Sequence, residues 1–245
     1  MDSNFIPGIY NWCDRWCERC SFTSRCRVYE KTENTSNSEP EEFWENLSQS
    51  FQETIDLLKN TAEEFGINLD EIEEEIPLEE EEEEEYKVGE EALYQVTNSY
   101  LKTARAWLES DSFKAFISKL EEKGELGLIT ISEAEDKVIA LSEAVEVIHW
   151  YLFFIHVKSS RALKEKQEDF WDEYPESEKS YNGTAKITKI AIERSMQAWI
   201  HLLNQMQEDQ DRIVEILALL EKSRKLLEKE FPNLDQFIRP GFDEE

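Results

Sequence analysis

The sequence predicts an all-α protein: an up-and-down bundle of about four long helices with a small N-terminal four-cysteine metal module. Three observations carry this expectation. The seven glycines and six prolines leave four long stretches free of both, 41–65, 90–123, 128–174 and 184–231. Glu, Lys, Leu, Ala and Gln are prominent in those stretches and favour helix. No region alternates apolar and polar residues with the period of two that a half-buried strand requires.

Residues 1–30 form the expected metal module. All four cysteines of the chain, Cys13, Cys17, Cys20 and Cys26, fall within fourteen residues with the spacing C-x3-C-x2-C-x5-C. On a continuous helix the first three share one face, and the fourth arrives from the following loop. Four soft thiolates at this density suit a [4Fe–4S] cluster or Zn2+. The helical triad and the aromatic neighbours Trp12, Trp16, Phe22 and Tyr29 tilt the choice toward iron–sulfur. Arg15, Arg19, Arg25 and Arg27 can offset the charge of either centre. Four protein ligands leave no open position for a substrate, so the centre is expected to hold the fold together rather than to catalyse.

The segment Cys17-x2-Cys20-x5-Cys26 resembles the end of the [4Fe–4S] loop in endonuclease III-type DNA glycosylases. The resemblance covers ten residues and implies a cluster-binding loop, without the glycosylase fold or activity.

Residues 31–40, rich in Ser, Asn and Thr, are expected to be a linker. Ser38-Glu39-Pro40-Glu41 reads as a capping box with proline in the first turn. It opens a first bundle helix over 41–69, with Phe43, Leu47, Phe51, Ile55 and Leu58 at helical spacing and Gly66 as its stop. Residues 70–87 are expected to be an acidic tether, since Asp70 to Glu85 holds twelve acids and no Lys or Arg. Seven consecutive glutamates repel one another and resist burial.

The remaining bundle helices are expected over 88–231. Ser132-Glu133-Ala134-Glu135 reads as a second capping box, ahead of a seam of Leu141, Val145, Ile148, Leu152 and Ile155. Their partners are expected on the final stretch, at Ile187, Ala191, Ala198 and Leu202. That stretch is too long for one straight helix and is expected to break near 207–211, where polar residues crowd. Residues 232–245 form a C-terminal tail whose apolar anchors predict docking onto the bundle.

The formal charge is −29 at pH 7, and −17 remains once the acidic run is set aside. Such a field repels phosphate backbones and anionic headgroups, so neither nucleic acid nor a membrane is an expected partner; a protein is. The longest apolar candidate span, Val145 to Val157, is interrupted by Glu146, His149 and His156. The N-terminal MDSNFIPGIY lacks the basic and apolar regions of a signal peptide, so a cytoplasmic location and reduced cysteines are expected.

Weaker constellations remain. Glu146 and His149 form the Glu-x-x-His half-motif of di-metal carboxylate bundles, with His156 nearly on the same face. Glu193, Gln197 and His201 form a row on the last stretch, but a second Glu-x-x-His is missing. Lys158, Arg161, Lys164 and Lys166 form a basic patch expected to pair with the protein's own carboxylates. No phosphate-binding glycine loop, nucleophile elbow or zincin motif occurs. The leading expectation is a non-enzymatic, metal-stabilised helical bundle that serves as a partner-binding or accessory protein. An iron–sulfur redox or sensor protein is the alternative, and a di-metal bundle enzyme using Glu146, His149 and His201 the third.

Overall fold

A computed structural model of the chain describes residues 4–36, 40–66 and 88–243, and among them the regular structure is helical without a strand. Seven α-helices are present among these residues. They are α1 (Arg27–Ser36), α2 (Pro40–Glu64), α3 (Ala92–Leu108), α4 (Ser112–Glu125), α5 (Ile131–Glu165), α6 (Ser180–Gln205) and α7 (Gln210–Glu230). The chain divides into two compact units, residues 1–10 with 17–85 and residues 11–16 with 86–245.

The first unit begins with non-helical chain and short 3-10 turns at Cys17–Arg19 and Thr23–Arg25. The Ile6 N–H donates to the Arg25 carbonyl at 3.1 Å and closes this segment on itself. The region expected as a linker is helical as far as Ser36, and the Thr32 hydroxyl donates to the Val28 carbonyl one turn back. That bond satisfies the hydroxyl inside the helix, so a polar composition does not oblige the backbone to unwind. α2 opens at Pro40, where a missing N–H costs nothing. It stops at Gly66, whose φ of +69° suits glycine, and the Gly66 N–H donates to the Glu63 carbonyl. Of the stripe expected to line a bundle core, Phe51, Ile55 and Leu58 are exposed, as are the neighbouring Trp44 and Phe65. The capping residues Ser38 and Glu39 and the acidic run Asp70 to Glu85 lie outside the described residues.

The second unit is a helical bundle in which α5 packs on α6, α6 on α7, α7 on α3 and α3 on α5, while α4 lies against α5. The α5–α6 pairing is the most extensive. Of the expected seam, Leu141, Ile148, Leu152 and Ile155 are buried on α5 and Val145 is half-buried, and Ile187, Ala191, Ala198 and Leu202 are buried on α6. α5 is the one described helix whose length and composition would allow a membrane crossing, and 33% of its apolar window is buried inside the protein.

Three boundaries differ from, or refine, the sequence reading. The stretch 90–123 is two helices, broken at Glu109–Asp111 without glycine or proline. Both the N–H and the hydroxyl of Ser110 turn back to the Trp107 carbonyl, taking the place of a continued helical bond. The N-terminal cap of α5 is Thr130, not Ser132: its hydroxyl accepts from the Glu133 N–H at 3.1 Å and Glu133 accepts from the Thr130 N–H at 2.9 Å. The last stretch breaks where polar residues crowd, with a 3-10 turn at Gln207–Asp209 between α6 and α7. Buried Met206 fills that corner, and the Trp107 indole donates to Asp209 at 3.1 Å.

The C-terminal tail docks through Phe231, Leu234 and Phe237, all buried. Lys186 donates to the Phe237 carbonyl at 2.6 Å and pairs with Asp243 at 2.8 Å. Arg239 pairs with Asp243 as well. Although burial opposes it, hydrogen bonds from Arg239 and Lys186 hold the Asp243 carboxyl well below the usual range.

Candidate functional site: the cysteine segment and its anchor

The short segment Asn11–Trp16 belongs to the second unit. Trp12, Asp14 and Trp16 alternate along it with Cys13 and Arg15. Trp12 meets Phe237 edge-on, with centroids 4.6 Å apart. This approach requires glycine at 183, because a Cβ there would lie 2.7 Å from both Trp12 and Phe237 ring atoms. Trp16 is buried and stacks on Trp150 at 4.9 Å, with the planes 15° apart, and meets Tyr151 edge-on. The Trp150 indole donates to the Asp14 carbonyl at 3.0 Å.

Asp14 is the polar centre of this anchor. Its Oδ2 accepts from the Tyr151 hydroxyl and from Arg194 Nη1, each at 2.5 Å, and its Oδ1 accepts from the Trp16 N–H at 3.2 Å. Arg194 Nη1 also donates to Tyr151 Oη at 2.6 Å. Burial, and then the hydrogen bond to Asp14, push the Tyr151 phenol above its ordinary pKa, so it stays a neutral donor. A carboxylate with a neutral phenol and a guanidinium forms a charge-assisted knot that positions backbone; it contains no activated nucleophile. Nothing in the sequence pairs Asp14 with Tyr151 and Arg194. The only local sign was an acid placed between two tryptophans.

The cysteines follow a different local geometry from the expected one. Arg15 has a left-handed φ of 61°, so no continuous helix carries Cys13, Cys17 and Cys20 on one face. Cys17 opens a 3-10 turn, and the Cys20 N–H donates to its carbonyl at 3.1 Å. The Phe22 N–H donates to Cys20 Sγ at 3.4 Å. Cys26 follows the next 3-10 turn in extended backbone, and its carbonyl accepts the Glu30 N–H of the first turn of α1. Cys13 lies in the second unit and Cys17, Cys20 and Cys26 in the first. All four are half-buried and none is in a disulfide. Among the described residues, no group of three or more His, Cys, Asp or Glu side chains is arranged to hold a metal ion.

The other sequence candidates are also placed. Glu146, His149, Glu193, Gln197 and His201 are exposed. His156 is half-buried, with Nδ1 at 3.0 Å from Thr97 Oγ1. The Thr97 hydroxyl points at the Leu93 and Tyr94 carbonyls, which assigns the proton of the shared bond to His156 Nδ1. Burial, helped by the charge of Lys102, holds His156 below the ordinary histidine pKa. In the basic patch, Arg161 pairs with Glu165 at 2.5 Å, and Lys166 donates to the Glu230 carbonyl at 2.8 Å. Lys158 lies over the Phe154 ring. Burial, Arg161 and Arg15 lower its pKa, and Glu165 and Cys13 act on it in the opposite direction.

Compared with models of protein families, with curated proteins and with solved structures, the chain matches none.

Proposed function

We propose that the protein is a non-enzymatic, metal-stabilised helical-bundle protein with a partner-binding or accessory role. In this reading α3, α5, α6 and α7 form an up-and-down four-helix bundle, and Cys13, Cys17, Cys20 and Cys26 bind one metal centre as its N-terminal module. The observation that carries the metal is the confinement of every cysteine to fourteen consecutive residues. Two local features support it: a backbone N–H on Cys20 Sγ, and Lys158 within electrostatic reach of Cys13. A tetrathiolate zinc site or a [4Fe–4S] cluster fits this donor set, and saturated coordination suits a staple better than a catalyst. A partner-binding role draws on α2 and the residue that follows it, where six large apolar side chains, Trp44, Phe51, Ile55, Leu57, Leu58 and Phe65, are 44–75% exposed.

The test is elemental analysis of anaerobically purified full-length protein, together with its visible spectrum. Near-stoichiometric zinc without colour makes the centre structural zinc. Iron with labile sulfide and brown absorbance makes it a cluster, and reversible bleaching by a reductant would favour the redox or sensor alternative. Neither metal in wild type, or a content unchanged by Cys17→Ser and Cys20→Ser, defeats the metal reading.

A further inference from the structure

Between α4 and the corner joining α6 to α7 lies a cleft of about 700 Å³, within the size range of small-molecule sites. One wall is the face of α4 that carries Phe116, Lys119, Leu120 and Lys123; the other is the corner, 204–209. Leu120 and Met206 are buried and form an apolar floor. Lys119 and Lys123 stand one turn apart on α4. The ion pair of Lys119 Nζ with Glu208, at 2.6 and 2.8 Å to its two oxygens, spans the cleft.

Three acids line this cleft, Asp111 at the start of α4 and Glu208 and Asp209 at the corner, and the two at the corner are not equivalent. Asp209 accepts the Trp107 indole N–H and faces Arg212, so it holds the corner in shape. Glu208 is 83% exposed and its partner Lys119 51% exposed, which makes their bridge a weak and exchangeable one. The hydrogen bond and charge of Lys119, with the charge of Lys123 behind it, hold the Glu208 carboxyl below its usual range. Glu208 is thus a carboxylate held by Lys119 beside an apolar floor, with the charge of Lys123 acting on it from one turn further along α4.

We propose that this cleft binds a small amphipathic organic anion, a monocarboxylate on a short apolar chain. Its carboxylate takes the place of Glu208 on Lys119, within the field of Lys123, and its chain covers Phe116, Leu120 and Met206. A monocarboxylate matches the charge of the group it displaces. A dianionic phosphate would meet the charges of Asp111 and Asp209 without gaining contact with the floor.

The test is calorimetric titration of octanoate into the full-length protein, followed in parallel by tryptophan emission, since Trp107 is bonded to the corner. Wild type should bind octanoate saturably at one site per chain, and neither octylamine nor inorganic phosphate should saturate. Glu208→Gln removes the internal competitor and should tighten binding roughly threefold or more, whereas Lys119→Ala with Lys123→Ala should weaken it roughly tenfold. Lys119→Gln, a single exposed change, serves in place of the double variant if that loses helical circular dichroism. Absence of saturable octanoate binding, equal binding of octylamine, or weaker binding by folded Glu208→Gln overturns the proposal.

Discussion

Arg194 Nη1 reaches Asp14 Oδ2 at 2.5 Å across a separation of 180 residues, and both touch the hydroxyl of Tyr151. This contact ties the chain just after Cys13 to α5 and α6. Asp14→Ala leaves the phenol and the guanidinium without their shared acceptor and should cost about 1–3 kcal/mol in urea unfolding. The emission of Trp16 and Trp150 should change with it, because their stacking depends on where Asp14 holds the backbone. Unchanged stability and emission would show that the tryptophans alone anchor the segment.

Gly183→Ala should destabilise. Alanine within a helix normally gains up to about 1 kcal/mol over glycine, and Gly183 lies in the first turn of α6. Here its Cβ would sit 2.7 Å from Trp12 and Phe237, so two rings must shift, at a cost of about 1–3 kcal/mol. A double-mutant cycle with Phe237→Ala should show the penalty shrinking. A stabilised Gly183→Ala would mean that the rings give way freely.

Leu152→Ala should cost about 2–5 kcal/mol, through lost burial and the cavity left in the α5–α6 seam. His149, three residues away on the exposed side of α5, should tolerate alanine within about 0.5 kcal/mol and leave metal content unchanged. Equal costs at the two positions would contradict the seam.

Two buried tyrosines should respond oppositely to loss of the hydroxyl. Tyr100 Oη is fully buried without a hydrogen bond of good geometry, facing Trp199 and Ser195, and burial pushes its pKa up to about 12. Tyr100→Phe should therefore be neutral or stabilising, since it removes a poorly satisfied group. Tyr151→Phe forfeits the bonds to Asp14 and Arg194 and should cost about 1 kcal/mol. Chemical denaturation of the two variants checks this, and a destabilised Tyr100→Phe would point to an ordered water at that site.

Stability should decline as pH falls below the ordinary histidine value of 6.5, in part through His156. Its folded pKa is depressed by burial and by Lys102, so the unfolded chain binds its proton first. The contribution is intact above pH 6.5 and is lost as pH falls toward the folded value. His156→Gln should flatten this part of the profile, and an NMR titration of His156 should give a midpoint below 6.5. A midpoint above it reverses the sign of the effect.

Much of the helical layout is legible in the sequence, because a core-facing helix must repeat apolar residues every three or four positions. The buried stripes of α5 from Leu141 to Ile155 and of α6 from Ile187 to Leu202 follow from that rule, and the polar break after Gln205 follows from the crowding of polar residues. The break at Ser110 was not legible, because it depends on one side chain competing for the Trp107 carbonyl rather than on glycine or proline. The exposed stripe of α2 was not legible either: periodicity marks an apolar face but does not say whether anything covers it.

At the candidate site the division is sharper. The sequence by itself determined that four thiols lie within one short segment among aromatic and basic neighbours, since spacing and composition are properties of the chain. Only the tertiary structure decided that Arg15 turns left-handed, so that the thiols do not share a helix face. It alone joined Asp14 to Tyr151 and Arg194, and set Trp12 against Gly183. Such contacts bring together residues more than a hundred positions apart, and no local periodicity records them. They form when the packing of α5 and α6 places their side chains on one surface.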